Sequence, residues 1–167
     1  MATPLEHPVA VLETSFWIAA HRAEVAVNTL DVFTIVVPRA VEAELVSRQA
    51  NHPAREYPYS TLFRHLRDKL LDPPLPGPPP LRVLGPGEAD AIAVGQYLEA
   101  RLLINERKGL VVARGMDVAT LTVPELIAAL MLRDVISRRA ALRKLDLIIP
   151  ITSRDLLEDV RRVIETA

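Results

Sequence analysis

The 167-residue sequence contains no cysteine, which excludes a disulfide framework and a thiolate zinc site and fits a reducing compartment. An excess of charge of one sign is also lacking, since 20 Lys and Arg against 21 Asp and Glu leave a net charge of −1. No global field therefore draws the chain to nucleic acid or to an anionic membrane, and any polyanion has to be held by a local patch or by metal. No uninterrupted apolar run of about 18 residues occurs, so no membrane-spanning helix is expected. Met1 to Pro8 carries Glu6 and two prolines where a secretory signal needs a basic start and an apolar core. The expected location is the cytoplasm. The four histidines, His7, His21, His52 and His65, form no i, i+4 or zinc-finger pair.

What is present is a globular composition. Half of the residues are apolar, a quarter are charged and mean hydropathy is +0.19, so one folded domain over residues 1–167 is expected, with no repeat and no second domain. Val9 to Leu12 reads as a buried strand turning directly into a helix through Thr14-Ser15 and Phe16 to Ala20, with Trp17 as a core residue. A second helix closes near Asn28 to Asp31, Thr34 to Val37 is a strand, and Pro38 opens a third helix reaching about Gln49. Tyr59 to Leu71 has helical spacing. The proline-rich segment 72–80 is an extended loop that cannot be helix or central strand.

Beyond that loop the pattern resumes. Leu81 to Leu84 is a candidate strand, Gly87 to Ala100 a helix, Leu102 to Ile104 a strand and Glu106 to Arg114 a helix. Val118 to Leu121 is a strand, Val123 to Val135 a helix opened by Thr122 and Pro124, and Ser137 to Lys144 and Ser153 to Ala167 are helical. Short apolar strands alternating with helices predict an α/β fold, a parallel sheet covered by helices on both faces.

In open α/β sheets ligands sit beyond the carboxyl ends of the strands. Glu13 follows the first strand and Asn105-Glu106 follows Leu102 to Ile104. On the third helix Glu44 lies next to the inward face marked by Val41 and Leu45, whereas Glu42 points away. On the helix after Gly87, Asp90 falls among Ala93, Val94 and Tyr97, while Glu88 falls beside Glu99 on the wet side. Each acid alone has a plain reading as a helix-dipole complement or a solvated charge. Together they would repel unless hard cations neutralised them, and Mg²⁺ or Mn²⁺ held by carboxylates suits phosphodiester hydrolysis. Gly85-Pro86-Gly87 is a weak phosphate-turn signal, because Asp90 stands where a dinucleotide fingerprint needs glycine. The basic run Arg138, Arg139, Arg143 and Lys144 reads as a solvated face or as an RNA-backbone contact.

The order "VLETSFWI", "VPRAVEAEL", "GPGEADAIAVGQYLEARLLINERKG", "VATLTVPELIAALMLRDVI" and "ITSRDLLEDV" resembles the PIN-domain family, in particular its small prokaryotic toxin-type ribonucleases. The resemblance runs from about Val9 to the last helix. It implies a PIN-like parallel sheet and a Mg²⁺- or Mn²⁺-dependent endoribonuclease acting on RNA. Glu13, Glu44, Asp90 and Glu106 would be the catalytic acids, and Glu88 would join them as a further metal-facing acid. Ser15 and Asn105 would orient water or phosphate, with Arg107 and Lys108 holding the RNA backbone. A homodimer and a small antitoxin-type partner protein are implied as well. The chain departs from the family pattern where Glu13 stands for the usual Asp and where Asn105 replaces an acid. The alternative is therefore a PIN-like module, degenerate in its acids, that works through protein or RNA contacts.

Overall fold

A computed structural model describes residues 7–47, 54–74 and 83–167. Four short strands, β1 (Val9–Leu12), β2 (Thr34–Val36), β3 (Arg101–Leu103) and β4 (Thr120–Leu121), form one parallel sheet in the order β2-β1-β3-β4. Ala10 of β1 faces Ile35 on one side and Arg101 on the other, and Leu103 faces both Leu12 and Leu121. Ala10, Val11 and Leu12 are wholly buried, as a strand covered on both faces must be.

Nine α-helices occur among the described residues: α1 (Thr14–Arg22), α2 (Ala26–Val32), α3 (Arg39–Leu45), α4 (Pro58–Leu66), α5 (Pro86–Leu98), α6 (Arg107–Gly115), α7 (Val123–Leu132), α8 (Arg138–Leu147) and α9 (Arg154–Thr166). The chain leaves β1 toward β2 in one direction and leaves β3 toward β4 in the other. Right-handed crossovers then put α1 and α2 on the face opposite α6. That reversal makes the β1/β3 boundary the topological switch point, where a crevice opens beyond the strand ends. Helix α5 packs on β1, β3 and α3, while α7, α8 and α9 pack on one another. One apolar core joins these layers, with Trp17 set edge-on against Phe63 at a centroid separation of 5.7 Å.

The expected elements hold with several corrections. Helix α4 ends at Leu66, a 3₁₀ turn covers Arg67–Lys69, and Leu71 bridges Val36 in parallel, so the helix does not reach Leu71. Leu71 N–H donates to Ile35 O, and its carbonyl accepts Val37 N–H; these sheet bonds compete with continued helix. Helix α3 ends at Leu45, and Gln49 lies outside the described residues. The segment 81–84 lies half outside them, and Val83 and Leu84 form a turn rather than a strand. The strand expected over Val118 to Leu121 is reduced to Thr120–Leu121, because Asp117 adopts a positive φ of 58° and Val118 N–H still closes α6 on Ala113. Helix α7 stops at Leu132, just before Asp134 with φ 58°, and α8 runs three residues past Lys144 to Leu147. Of the proline-rich loop, 75–80 lies outside the described residues.

Candidate active site at the ends of the first and third strands

Glu13 is the N-cap of α1 and is buried at 3% exposure. Its backbone N–H donates to Leu103 O at 3.0 Å, so the β1/β3 pairing continues to this residue and fixes where its side chain leaves the sheet. Its Oε2 accepts the Ser15 N–H at 2.8 Å and the Ser15 hydroxyl. Burial pushes the Glu13 carboxyl up to about 7, against the pull of the Ser15 bonds, and the charges of Glu88 and Glu44 add to the rise.

Glu44 reaches the same place from α3. Its Oε2 accepts the Thr14 hydroxyl and its Oε1 accepts Gly87 N–H at 3.0 Å. A Cβ at position 87 would lie 2.7 Å from the Glu44 carboxyl carbon, so glycine there leaves open the space that the Glu44 carboxylate fills. Thr14 and Gly87 are thus the two partners that orient Glu44. The Gly85-Pro86-Gly87 turn carried this signal in the sequence, since its second glycine marks a close approach; the approaching group is a carboxylate of the same chain.

Glu88 and Glu106 form the other end of the cluster. Glu88 Oε2 turns back to accept Gly85 N–H at 3.1 Å. Glu106 caps α6, its carboxylate accepting Lys108 N–H at 2.9 Å and Gly109 N–H at 2.7 Å. The two acids adjoin and their titrations are linked. Burial and the neighbouring Glu106 push Glu88 up, whereas at Glu106 the opposing effect of burial is outweighed by the N–H groups of Gly109 and Lys108 and by the Glu88 bond. Gly109 makes room for the pair, because a Cβ there would lie 3.0 Å from Glu88 Oε1 and 2.7 Å from Ile104 Cδ1.

Two assignments change roles. Glu88 is half-buried at the site rather than on a wet face with the exposed Glu99. Asp90 is buried, and its Oδ2 accepts Ala40 N–H at 3.0 Å, so it caps the first turn of α3 and holds the helix that carries Glu44. Asn105 is fixed by two side-chain bonds: Nδ2 donates to Thr152 Oγ1 at 2.9 Å and Oδ1 accepts Val123 N–H at 3.2 Å. It ties β3 to α7 and to the entry of α9. Thr152 had no signal in the sequence beyond its place before a helix. Arg107 and Lys108 are exposed beside Glu106, and Arg107 lies 3.7 Å from Asp155.

The crevice therefore gathers Glu13, Glu44, Glu88 and Glu106, with Asp90 behind Glu44. Among the described residues no three acids or histidines lie close enough together to hold a metal ion in this arrangement. The donor set itself is all oxygen, the chemistry of a hard divalent cation. A cavity of about 780 Å³ lies at the amino ends of the strands, the opposite end of the sheet; its wall mixes Asp31 and Glu99 with Arg101 and Arg133 and holds none of these acids. No helix among the described residues is long and apolar enough to cross a membrane.

No protein-family model matches the chain, and no curated protein does. Among solved structures it is similar to a domain of a functionally unknown protein from Methanocaldococcus jannaschii DSM 2661, with 22% identity over 70% of this chain and 91% of that one and a TM-score of 0.49.

Proposed function

We propose that the acid-lined crevice at the β1/β3 switch point is the centre of a metal-dependent endoribonuclease of the PIN-like type. The observation that carries this reading is the approach of Glu44 and Glu88, from two other elements, to the buried Glu13, whose carboxyl is pushed up to about 7 by burial first and by the charges of Glu88 and Glu44 to a smaller degree. Unneutralised buried carboxylates are costly, and a fold that brings them together gains stability when a cation binds. Glu13, Glu44 and Glu88 would hold Mg²⁺ or Mn²⁺ after side-chain shifts that bring their carboxylates closer together, with Glu106 as a further ligand. The bound ion supplies water activation and neutralisation of charge on the phosphoryl oxygens. Ser15 holds Glu13 in its rotamer, Thr14 and Gly87 N–H hold Glu44, and Asp90 holds α3. Arg107 and Lys108 offer local positive charge for an RNA backbone, which the net charge of the chain cannot supply.

The test is cleavage of mixed-sequence single-stranded RNA in millimolar Mn²⁺, with a chelator control and Glu44→Gln. Cleavage that needs the metal and is lost in the variant supports the reading; cleavage that persists in chelator or in the variant overturns it. The second reading, a degenerate binding module, draws on Asn105, whose amide nitrogen and oxygen are each engaged in a structural bond. It predicts RNA or protein binding with no cleavage under any metal. The homodimer, the small antitoxin-type partner and the cytoplasmic location belong to the PIN-like reading as proposals.

A further inference from the structure

The cavity of about 780 Å³ at the amino ends of the strands leads into a narrower apolar slot of about 100 Å³. The two share Val32, Phe33, Arg101 and Arg133 in their walls, so these four residues form the neck between them. Three elements set the neck in place. Phe33 joins α2 to β2, and its N–H closes α2 on Thr29 O at 3.0 Å. Arg101 opens β3, where it is exposed while Leu102 and Leu103 are buried. Arg133 follows the last residue of α7 and closes that helix on Ala129 O at 3.2 Å. Beyond the neck the slot is lined by Leu126 and Leu130, both buried, and by half-buried Ala129.

The charges sort by position. Asp31 and Glu99 line the wide cavity only, whereas Arg101 and Arg133 line both the cavity and the slot. The ion pairs formed among the described residues use none of these four side chains. Two guanidinium groups on one small slot repel each other, and an anion bound between them removes that cost. Their planar forks of N–H donors match a carboxylate or a phosphate. The slot behind them offers apolar contacts alone, which suits a hydrocarbon body. A cavity of about 150 Å³ holds benzene, so about 100 Å³ suits a smaller, branched chain. A nucleic-acid strand laid across the cavity would carry further phosphates past Asp31 and Glu99. Those acids disfavour a polyanion and leave the neck to a single anionic head.

We infer that the neck binds a small organic anion with a branched apolar body, its carboxylate or phosphate head held by Arg101 and Arg133 and its body in the slot lined by Leu126, Ala129 and Leu130. A concave, mostly apolar pocket with a few convergent polar groups is the usual form of a small-molecule site. The site is separate from the crevice, because its walls hold none of Glu13, Glu44, Glu88 and Glu106. The inference therefore stands apart from the proposed nuclease function and does not rest on it.

The experiment records amide correlation spectra of the full chain while isovalerate or isobutyl phosphate is titrated at constant ionic strength. Acetate and inorganic phosphate serve as probes of the head alone. The expected result is saturable shifts around Phe33, Arg101 and Arg133, with an affinity on the order of 50-fold or more above that of the head alone, as burial of three or four carbons gives. The tighter of the two anions identifies the head as carboxylate or phosphate. Arg133→Gln should weaken binding by about 10- to 150-fold, as loss of charge-assisted hydrogen bonds does. Ala129→Leu fills the slot and leaves both cations, so isovalerate should then bind no better than acetate. The spread of the amide signals identifies a variant that fails to fold, and Arg101→Gln then stands in for Arg133→Gln. No saturable shift at tens of millimolar, equal affinity for isovalerate and acetate in the parent chain, or unchanged affinity in Arg133→Gln overturns the inference. Displacement of isovalerate from the same amides by a single-stranded RNA octamer also overturns it, since the neck would then be part of a phosphate path.

Discussion

The Ser15 hydroxyl accepts the backbone N–H of Asn105 at 3.0 Å while donating its own proton to Glu13. One side chain thus bonds the end of β3 to the acid at the end of β1, across the boundary where the crevice opens. Ser15→Ala leaves the Asn105 N–H without its partner and removes a bond that favours ionised Glu13. The expected cost is about 1–3 kcal/mol of stability, as for other buried donors left unpaired. Urea unfolding at neutral pH checks it, and a change below a few tenths of a kcal/mol would mean that water replaces the hydroxyl.

The pH dependence follows from Glu13. Its carboxyl titrates near 7 in the folded chain against 4.5 as its ordinary value, so between these values the folded state binds the proton and the unfolded state does not. The stability associated with that proton is fully present below pH 4.5 and is lost as pH rises through 7, by on the order of 3 kcal/mol in metal-free buffer. Glu88, also pushed up by burial, adds in the same direction. Unfolding free energy measured from pH 5 to 8 in chelator should fall with pH, and Glu13→Gln should flatten the fall. A profile that rises over this window would contradict the burial of these acids.

Much of the layout was legible in the sequence, and the reasons differ by element. Strands buried on both faces leave short continuous apolar runs, so β1 and β3 were readable, and with them Glu13 and Glu106 at their ends. The inward place of Asp90 on α5 was readable and holds, since Asp90 is buried and Glu88 only half-buried. What the helical wheel misplaced is Glu88: the helix buries Gly87, Ala89, Asp90, Ala91, Ile92, Val94 and Gly95, nearly all round its first turns, and leaves no wet side for Glu88 to share with Glu99. Asp90 also answers to a long-range demand, the open N–H groups of α3, that no local pattern encodes. Leu71 is similar: a single bridging residue at the sheet edge has no signature of its own.

Gly87 gives a sharper test of Glu44. In Gly87→Ala the new methyl occupies the space of the Glu44 carboxylate, a flexible side-chain end that can move aside, and alanine suits a helix better than glycine by about 1 kcal/mol. The fold should survive, with circular dichroism unchanged, while Mn²⁺-dependent stabilisation falls. Retention of the full metal response would show that Glu44 is dispensable.

Arg107 and Lys108 are exposed at the start of α6. Reversing both charges should weaken RNA binding and reduce its salt dependence, because each phosphate contact contributes roughly one unit to the slope of log affinity against log salt. Filter binding across a salt series measures both quantities. An unchanged slope would put the phosphate path on another face, with Arg139 and Arg143 next to be reversed.

The central claim, that the crevice acids serve a divalent cation, is tested most directly by following the thermal unfolding midpoint as Mn²⁺ is titrated into the metal-free protein. A ligand that binds only the folded state stabilises it by RT ln(1 + [L]/Kd), about 2.7 kcal/mol at a hundredfold excess over Kd. The account predicts a midpoint that climbs steadily with Mn²⁺ in the parent chain and stays level in Glu13→Gln and Glu44→Gln. A parent midpoint that does not move at millimolar Mn²⁺, or one that moves equally in both variants, would contradict it.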